Sequence, residues 1–151
     1  MSLLLPIMES AYTLLDFYTV EYTANPPLLR GTTRRLLTEE EITASVELVL
    51  VQAQQHGCRY WLLAGELPLQ GYSDALHTWM REDYFPRVEE TLPGIVAIAM
   101  LLPPGQEVDL DAQGYVQPLD VLRPGVRTEW FATPDSALIW LAQIRERVEN
   151  S

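Results

Sequence analysis

Two short apolar runs constrain this chain more than any other feature of its sequence. Residues 59–64 (RYWLLA) and residues 95–102 (IVAIAMLL) are nearly continuous in apolar side chains. A strand with one face in water would alternate apolar and polar residues, so these runs are typical of strands buried on both faces. Because a segment of helical periodicity lies between them, the sequence favours parallel strands joined by right-handed helical crossovers.

The clearest helix begins after Thr38. The hydroxyl of Thr38 can accept a hydrogen bond from the amide of Glu41, whose carboxylate can reach back to the cap, as in a capping box. Apolar residues then recur at helical spacing, and Gly57 supplies the left-handed conformation that ends many helices. The apolar stripe consists of Ile42, Val46, Val49, Leu50 and Ala53.

A hairpin is predicted before this helix. Residues 17–22 and 28–33 are rich in residues that favour strands, and they flank the turn-forming Asn25–Pro27. Further along, Ser73 can cap a second helix. Pro86 should kink that helix or begin a new segment, because proline lacks the amide that continues a helix.

The C-terminal part begins with a long, acidic, loop-like segment at residues 103–125. Loops of this length are uncommon in compact domains and often carry function. Residues 127–131 then predict a last strand, and Thr133 with Pro134 suits the start of a final helix.

These elements predict an α/β fold with a mixed, mostly parallel sheet of about five strands that starts with a β-hairpin, and with helices packed on it. Residues 16–151 form a single domain in this interpretation, and residues 1–15 form an N-terminal extension. Apolar residues 1–8 should not remain in solvent. They are a candidate dimer arm across a twofold axis, or they cover the sheet edge left by the hairpin.

Composition excludes several classes of function. The net charge is -11, and all ten basic residues are arginine. An acidic domain repels nucleic-acid phosphates and anionic lipid surfaces, so neither nucleic acid nor membrane is expected as a partner. The lack of lysine also excludes Schiff-base, pyridoxal phosphate and P-loop chemistry.

The compartment is predicted from three further features. Cys58 is the lone cysteine, so no internal disulfide can form, and no apolar run approaches the roughly 20 residues that span a bilayer. The apolar N-terminal segment is short and lacks the basic residues of a signal peptide. These features predict a cytoplasmic protein.

Ser73 is the one candidate nucleophile. Residues 71–75 (GYSDA) half match a nucleophile elbow, but a loop separates Ser73 from the preceding strand, and the only later histidine is His77. Helix capping is therefore the favoured role for Ser73, and no catalytic residue is assigned.

Other reactive groups are also interpreted as structural. His56 and Cys58 flank Gly57, but a zinc site needs three or four ligands, so no metal or cofactor is expected. His56 should complement the negative end of the helix dipole, and Cys58 should be a small buried hydrophobe. The carboxylate pairs lie in polar contexts, where solvation is expected rather than acid–base catalysis. These pairs are Glu89 with Glu90 and Asp109 with Asp111.

Aromatic residues divide into core and surface candidates. Trp61, Trp130 and Trp140 fall on core-facing elements, where packing is expected. The candidates for an exposed interaction surface are Tyr12, Tyr72, Trp79 and Tyr115.

The element order and three local patterns resemble the SpoIIAA-like branch of the STAS family, which includes anti-sigma factor antagonists and domains appended to sulphate transporters. The patterns are residues 56–63 (HGCRYWLL), Trp79 with residues 84–87 (YFPR), and residues 129–132 (EWFA) with 137–141 (ALIWL). Together they cover about residues 15–146. They are packing patterns, so the resemblance implies a fold more directly than an activity.

The resemblance implies a bacterial cytoplasmic domain that binds a protein partner. Signalling members are switched by phosphorylation of a serine at the start of the helix after the central strand, and Ser73 occupies the equivalent place. The Asp-Ser-Ser-Gly-like sequence of those members is absent here.

Three functions follow in order of preference. The first is a non-enzymatic protein-binding or regulatory domain with Ser73 as a phosphorylation position. The second is the binding of a small apolar, lipid-like ligand, which requires an apolar cavity of roughly 300 Å³ or more. The third is a hydrolase that uses Ser73 or a carboxylate.

Overall fold

The structure, a computed structural model, describes residues 10–64, 73–101 and 125–149, with side chains from residue 15 onward. These residues form a mixed sheet with helices packed on it, so the predicted α/β class is confirmed. The strands are β1 (Ser10–Leu14), β2 (Tyr18–Ala24), β3 (Pro27–Thr33), β4 (Tyr60–Ala64), β5 (Ile95–Leu101) and β6 (Gly125–Phe131). The helices are α1 (Glu39–His56), α2 (Asp74–Trp79), a π-helix (Met80–Tyr84), α3 (Phe85–Thr91) and α4 (Pro134–Glu149).

Strand order in the sheet follows chain order from β1 to β6. The pairs β1–β2 and β2–β3 are antiparallel, and the pairs from β3 to β6 are parallel. The hairpin predicted at the start of the domain is therefore β2–β3, and the crossovers follow it. The peptide bond between Asn25 and Pro26, in the hairpin turn, is cis.

Strand β1 is an addition to the predicted sheet. The described part of the sheet has six strands rather than about five, because residues assigned to the N-terminal extension pair with β2, with Ser10 opposite Thr23 and Leu14 opposite Thr19. The edge of the hairpin offers unpaired backbone groups, which a neighbouring segment can satisfy. Residues 10–14 thus cover this edge, whereas residues 1–8 lie outside the described residues.

The sheet separates two apolar layers. Trp61 and Ile98 face the layer that contains α1, the π-helix and α3. Their neighbours Leu62 and Ala99 face the opposite layer, which α4 covers. Both faces of β4 and β5 are therefore buried, as the two apolar runs predict.

Helix α1 begins with the predicted capping box. The hydroxyl of Thr38 accepts from the amide of Glu41 at 3.2 Å, and the Glu41 carboxylate accepts from the amide of Thr38 at 3.0 Å. Gly57 ends the helix in the left-handed conformation with a φ of 61°. The local sequence is sufficient to define both ends of this helix.

The π-helix lies between α2 and α3, just before Pro86. The amide of Phe85 donates to the carbonyl of Met80, five residues earlier, which makes a wider turn than an α-helix. Pro86 then occupies the first turn of α3, where its missing amide is tolerated. A new segment therefore begins around Pro86, in agreement with one of the two predicted outcomes.

Candidate functional site

Ser73 caps helix α2, as predicted. Its hydroxyl oxygen accepts from the amide of Leu76 at 3.1 Å. The same hydroxyl donates to Oε1 of Glu39 at 2.7 Å, and the amide of Ser73 donates to Oε2 of Glu39 at 2.8 Å. Ser73 is exposed, so this set of bonds is open to solvent.

Glu39 is the first residue of α1, so its contact with Ser73 joins the N-termini of two helices. The backbone and side-chain bonds from Ser73 lower the pKa of Glu39, and the charge of nearby His77 adds a smaller effect in the same direction. A carboxylate stabilised as the anion is a weaker proton acceptor. The contact therefore holds the Ser73 side chain beside an anionic carboxylate.

The two groups weighed as metal ligands have other contacts. The ring of His56 stacks on Tyr22, with centroids 4.0 Å apart and planes inclined by 11°. Cys58 is 1 % exposed, and its Sγ donates to the carbonyl of Tyr60. Burial raises the pKa of the Cys58 thiol to about 11. Within the described ranges, no three His, Cys, Asp or Glu side chains are grouped so that they could hold a metal ion.

Trp79 is the one predicted surface aromatic whose side chain the structure describes. It is half-buried against the core, and its ring stacks on that of Tyr84 with centroids 5.5 Å apart. The guanidinium of Arg87 lies over both rings and bonds to Glu47 and Asp83. Trp79 therefore presents part of its ring beside a network of charges.

The structure describes some of the remaining candidates, which are the other surface aromatics and the two carboxylate pairs. Tyr72 and Tyr115 lie outside the described residues, and for Tyr12 the structure describes the backbone in β1. Glu89 and Glu90 are exposed, as expected for solvated carboxylates. The pair Asp109 and Asp111 lies outside the described residues.

An apolar cavity lies between the sheet and the helices α1, α2 and the π-helix. Its volume is about 110 Å³. It is lined at the carboxyl ends of the parallel strands by Ala64 and Leu101, the last residues of β4 and β5. Crevices in this position of parallel sheets are where such folds bind ligands.

The cavity is smaller than the roughly 300 Å³ expected of a pocket for a lipid-like molecule. None of the described residues that line it carries a charge. Its polar lining comes from neutral groups such as the hydroxyls of Ser45 and Tyr84, which donate to the backbone carbonyls of Glu41 and Val46. Sequence patterns did not reveal this cavity, because its walls come from separate elements whose apolar residues are indistinguishable from ordinary core.

Comparisons of the chain with protein-family models, with curated proteins and with solved structures found no match. Among the helices that the structure describes, none combines the length and the apolar character that crossing a bilayer requires.

Proposed function

We propose that this chain is a non-enzymatic regulatory domain of STAS-like type that binds a protein partner in the bacterial cytoplasm. The observation that carries the proposal is the Ser73–Glu39 contact. The exposed hydroxyl of Ser73, at the N-terminus of α2, donates to the Glu39 carboxylate, and the Ser73 amide donates a second hydrogen bond to the same carboxylate on α1. The observed element order, which is part of the resemblance, supports the same proposal.

Phosphorylation of Ser73 would change this contact strongly. A phosphate carries a charge of about -1.5 to -2 and would be attracted by the amides that begin α2. The same charge would repel the Glu39 carboxylate, which now accepts both bonds from Ser73. Modification would therefore release the N-terminus of α1 from that of α2 and alter the surface that both helices present.

Quantitative co-purification from the cells that express the gene tests the proposal. Ser73→Glu introduces a negative charge beside Glu39, whereas Ser73→Ala removes the hydroxyl and adds no charge. The matched control is Ser136→Glu, because Ser136 is also an exposed serine at a helix start but lies in α4, on the other side of the sheet. We expect Ser73→Glu to reduce recovery of the same partners by about tenfold, equivalent to roughly 1.4 kcal/mol, while the control retains them.

Two outcomes would contradict this function. Partners recovered equally by the wild type and Ser73→Glu would show that the α2 start is not part of the contact. Turnover of an ester or peptide substrate that disappears in Ser73→Ala would instead favour the hydrolase.

Self-association belongs to the same proposal. Because residues 10–14 already pair with β2, an arm that joins two copies would have to act through residues 1–8. Sedimentation of the chain with and without residues 1–9 measures this directly, and an unchanged mass would exclude the arm.

A further inference from the structure

We propose that the apolar cavity beneath α1 and the π-helix binds a compact, neutral aromatic molecule of about one ring. The cavity volume of about 110 Å³ is the first support. An enclosed apolar protein cavity of about 150 Å³ accepts benzene, so this smaller and partly open space has room for about one ring and not for a lipid chain.

The lining determines the charge of the ligand. Aliphatic and aromatic side chains dominate it, and the described lining residues include no Asp, Glu, Arg or His. A charged molecule would lose its hydration in this cavity without gaining a counter-charge. The ligand is therefore neutral.

The walls favour an aromatic ring over an aliphatic group. Trp61 lines the cavity from the sheet, and Tyr84 and Phe85 line it from the helical layer. Aromatic pairs gain energy in edge-to-face or offset contacts beyond the area that they bury. The thioethers of Met80 and Met100 also line the cavity and make favourable contacts with ring edges.

Two features of the fold place this cavity where ligands bind. Thr33 and Ala64 end two neighbouring parallel strands at its rim, which is the edge at which α/β sheets bind ligands. Met80 and Tyr84, which begin and end the π-helix, both line it. Single π-turns within helices are frequent at functional sites.

The test uses toluene as the probe and the indole N–H signals of the whole chain as the reporter in ¹H–¹⁵N spectra. Trp61 and Trp130 line the cavity, whereas Trp140 packs in the layer on the opposite face of the sheet. We expect saturable shifts of the Trp61 and Trp130 signals and an unchanged Trp140 signal. Benzoate and benzylamine, charged molecules built on the same ring, should bind at least about tenfold more weakly, which corresponds to ~1.4 kcal/mol.

A matched pair of variants tests whether toluene binds inside the cavity. Ala64 lines the cavity, whereas Ala44 lies on the exposed surface of α1. Replacing either alanine by leucine adds the same atoms, but only Ala64→Leu adds them inside the cavity. Ala64→Leu should weaken toluene binding by about tenfold or more, and Ala44→Leu should leave it unchanged. Met80→Phe fills the cavity from the π-helix and replaces Ala64→Leu if that variant does not fold.

The proposal is overturned if the Trp61 and Trp130 signals stay unmoved up to the solubility limit of toluene. It is also overturned if the shifts grow without saturating, or if both cavity-filling variants bind like the wild type. If benzoate bound as tightly as toluene, the inference that the ligand is neutral would be wrong.

Discussion

The side chain of Tyr18 on β2 occupies the space that a side chain at Gly31 on the neighbouring strand β3 would need. A Cβ built at Gly31 would overlap the Tyr18 hydroxyl and would come within 3.0 Å of Leu63. Tyr18 is 4 % exposed and cannot move freely into solvent. Both Tyr18 and Leu63 line the cavity, so the absence of a side chain at residue 31 shapes one of its walls.

Gly31→Ala should therefore destabilise the protein by about 1–3 kcal/mol, the usual result of forcing extra atoms into a packed core. Urea unfolding followed by fluorescence measures the change. In a Tyr18→Phe background the cost of Gly31→Ala should fall, because the hydroxyl that overlaps the new methyl group is gone. Equal costs in both backgrounds would show that the Tyr18 hydroxyl does not limit residue 31.

Glu41 should make stability depend on pH in the acidic range. The side-chain bond from Arg35 lowers its pKa most, the amide of Thr38 adds to this, and the pKa falls from 4.5 to about 2. Since the folded state favours the carboxylate, the stabilisation is complete above pH 4.5 and is lost as the pH falls from 4.5 through 2. We expect Glu41→Gln to be less stable than the wild type at pH 6, with the two converging near pH 2.

Thermal unfolding at a series of pH values checks this difference. Glu40→Gln is the control, because it removes one carboxylate from the same exposed first turn of α1 and keeps the capping box. A difference between the wild type and Glu41→Gln that stays constant from pH 6 to 2 would contradict the assigned role.

The Cys58 thiol should be unreactive in the folded protein. Burial raises its pKa to about 11, so the reactive thiolate is scarce at pH 8, and the residue is 1 % exposed. We expect modification by a disulfide reagent at pH 8 to be more than about a hundredfold slower than in denaturant, because it requires opening of the core. Labelling of Cys58 at the rate of the unfolded chain would show that the core around this residue, just before β4, is open to the reagent.

Strand β1 should protect the edge of β2. Removing residues 1–15 deletes β1 and exposes the unpaired backbone of β2, and such edges promote pairing with other chains. Relative to a chain that lacks residues 1–9, we expect the shorter chain to unfold at lower urea concentration and to self-associate. Light scattering and urea unfolding of the two truncated chains measure both effects, and identical behaviour would mean that β1 does not protect this edge.

The sequence by itself determined most of the elements, because their signals are local. A capping box at Thr38, a left-handed glycine at Gly57 and a serine cap at Ser73 each depend on residues a few positions apart. The apolar runs determined the buried strands β4 and β5 for the same reason. Strand β1 was missed because its place in the sheet depends on pairing with the free edge of β2, a long-range contact that the pattern of residues 10–14 does not specify.

Only the tertiary structure decided which residues from different elements come into contact. Ser73 and Glu39 are far apart in the chain, and the fold brings the N-termini of α1 and α2 close enough for the two residues to form hydrogen bonds. The cavity likewise joins side chains from four parallel strands and several helices. Capping and periodicity act within one or two turns of chain, whereas a contact between elements depends on how they pack in three dimensions, which no short stretch of sequence encodes.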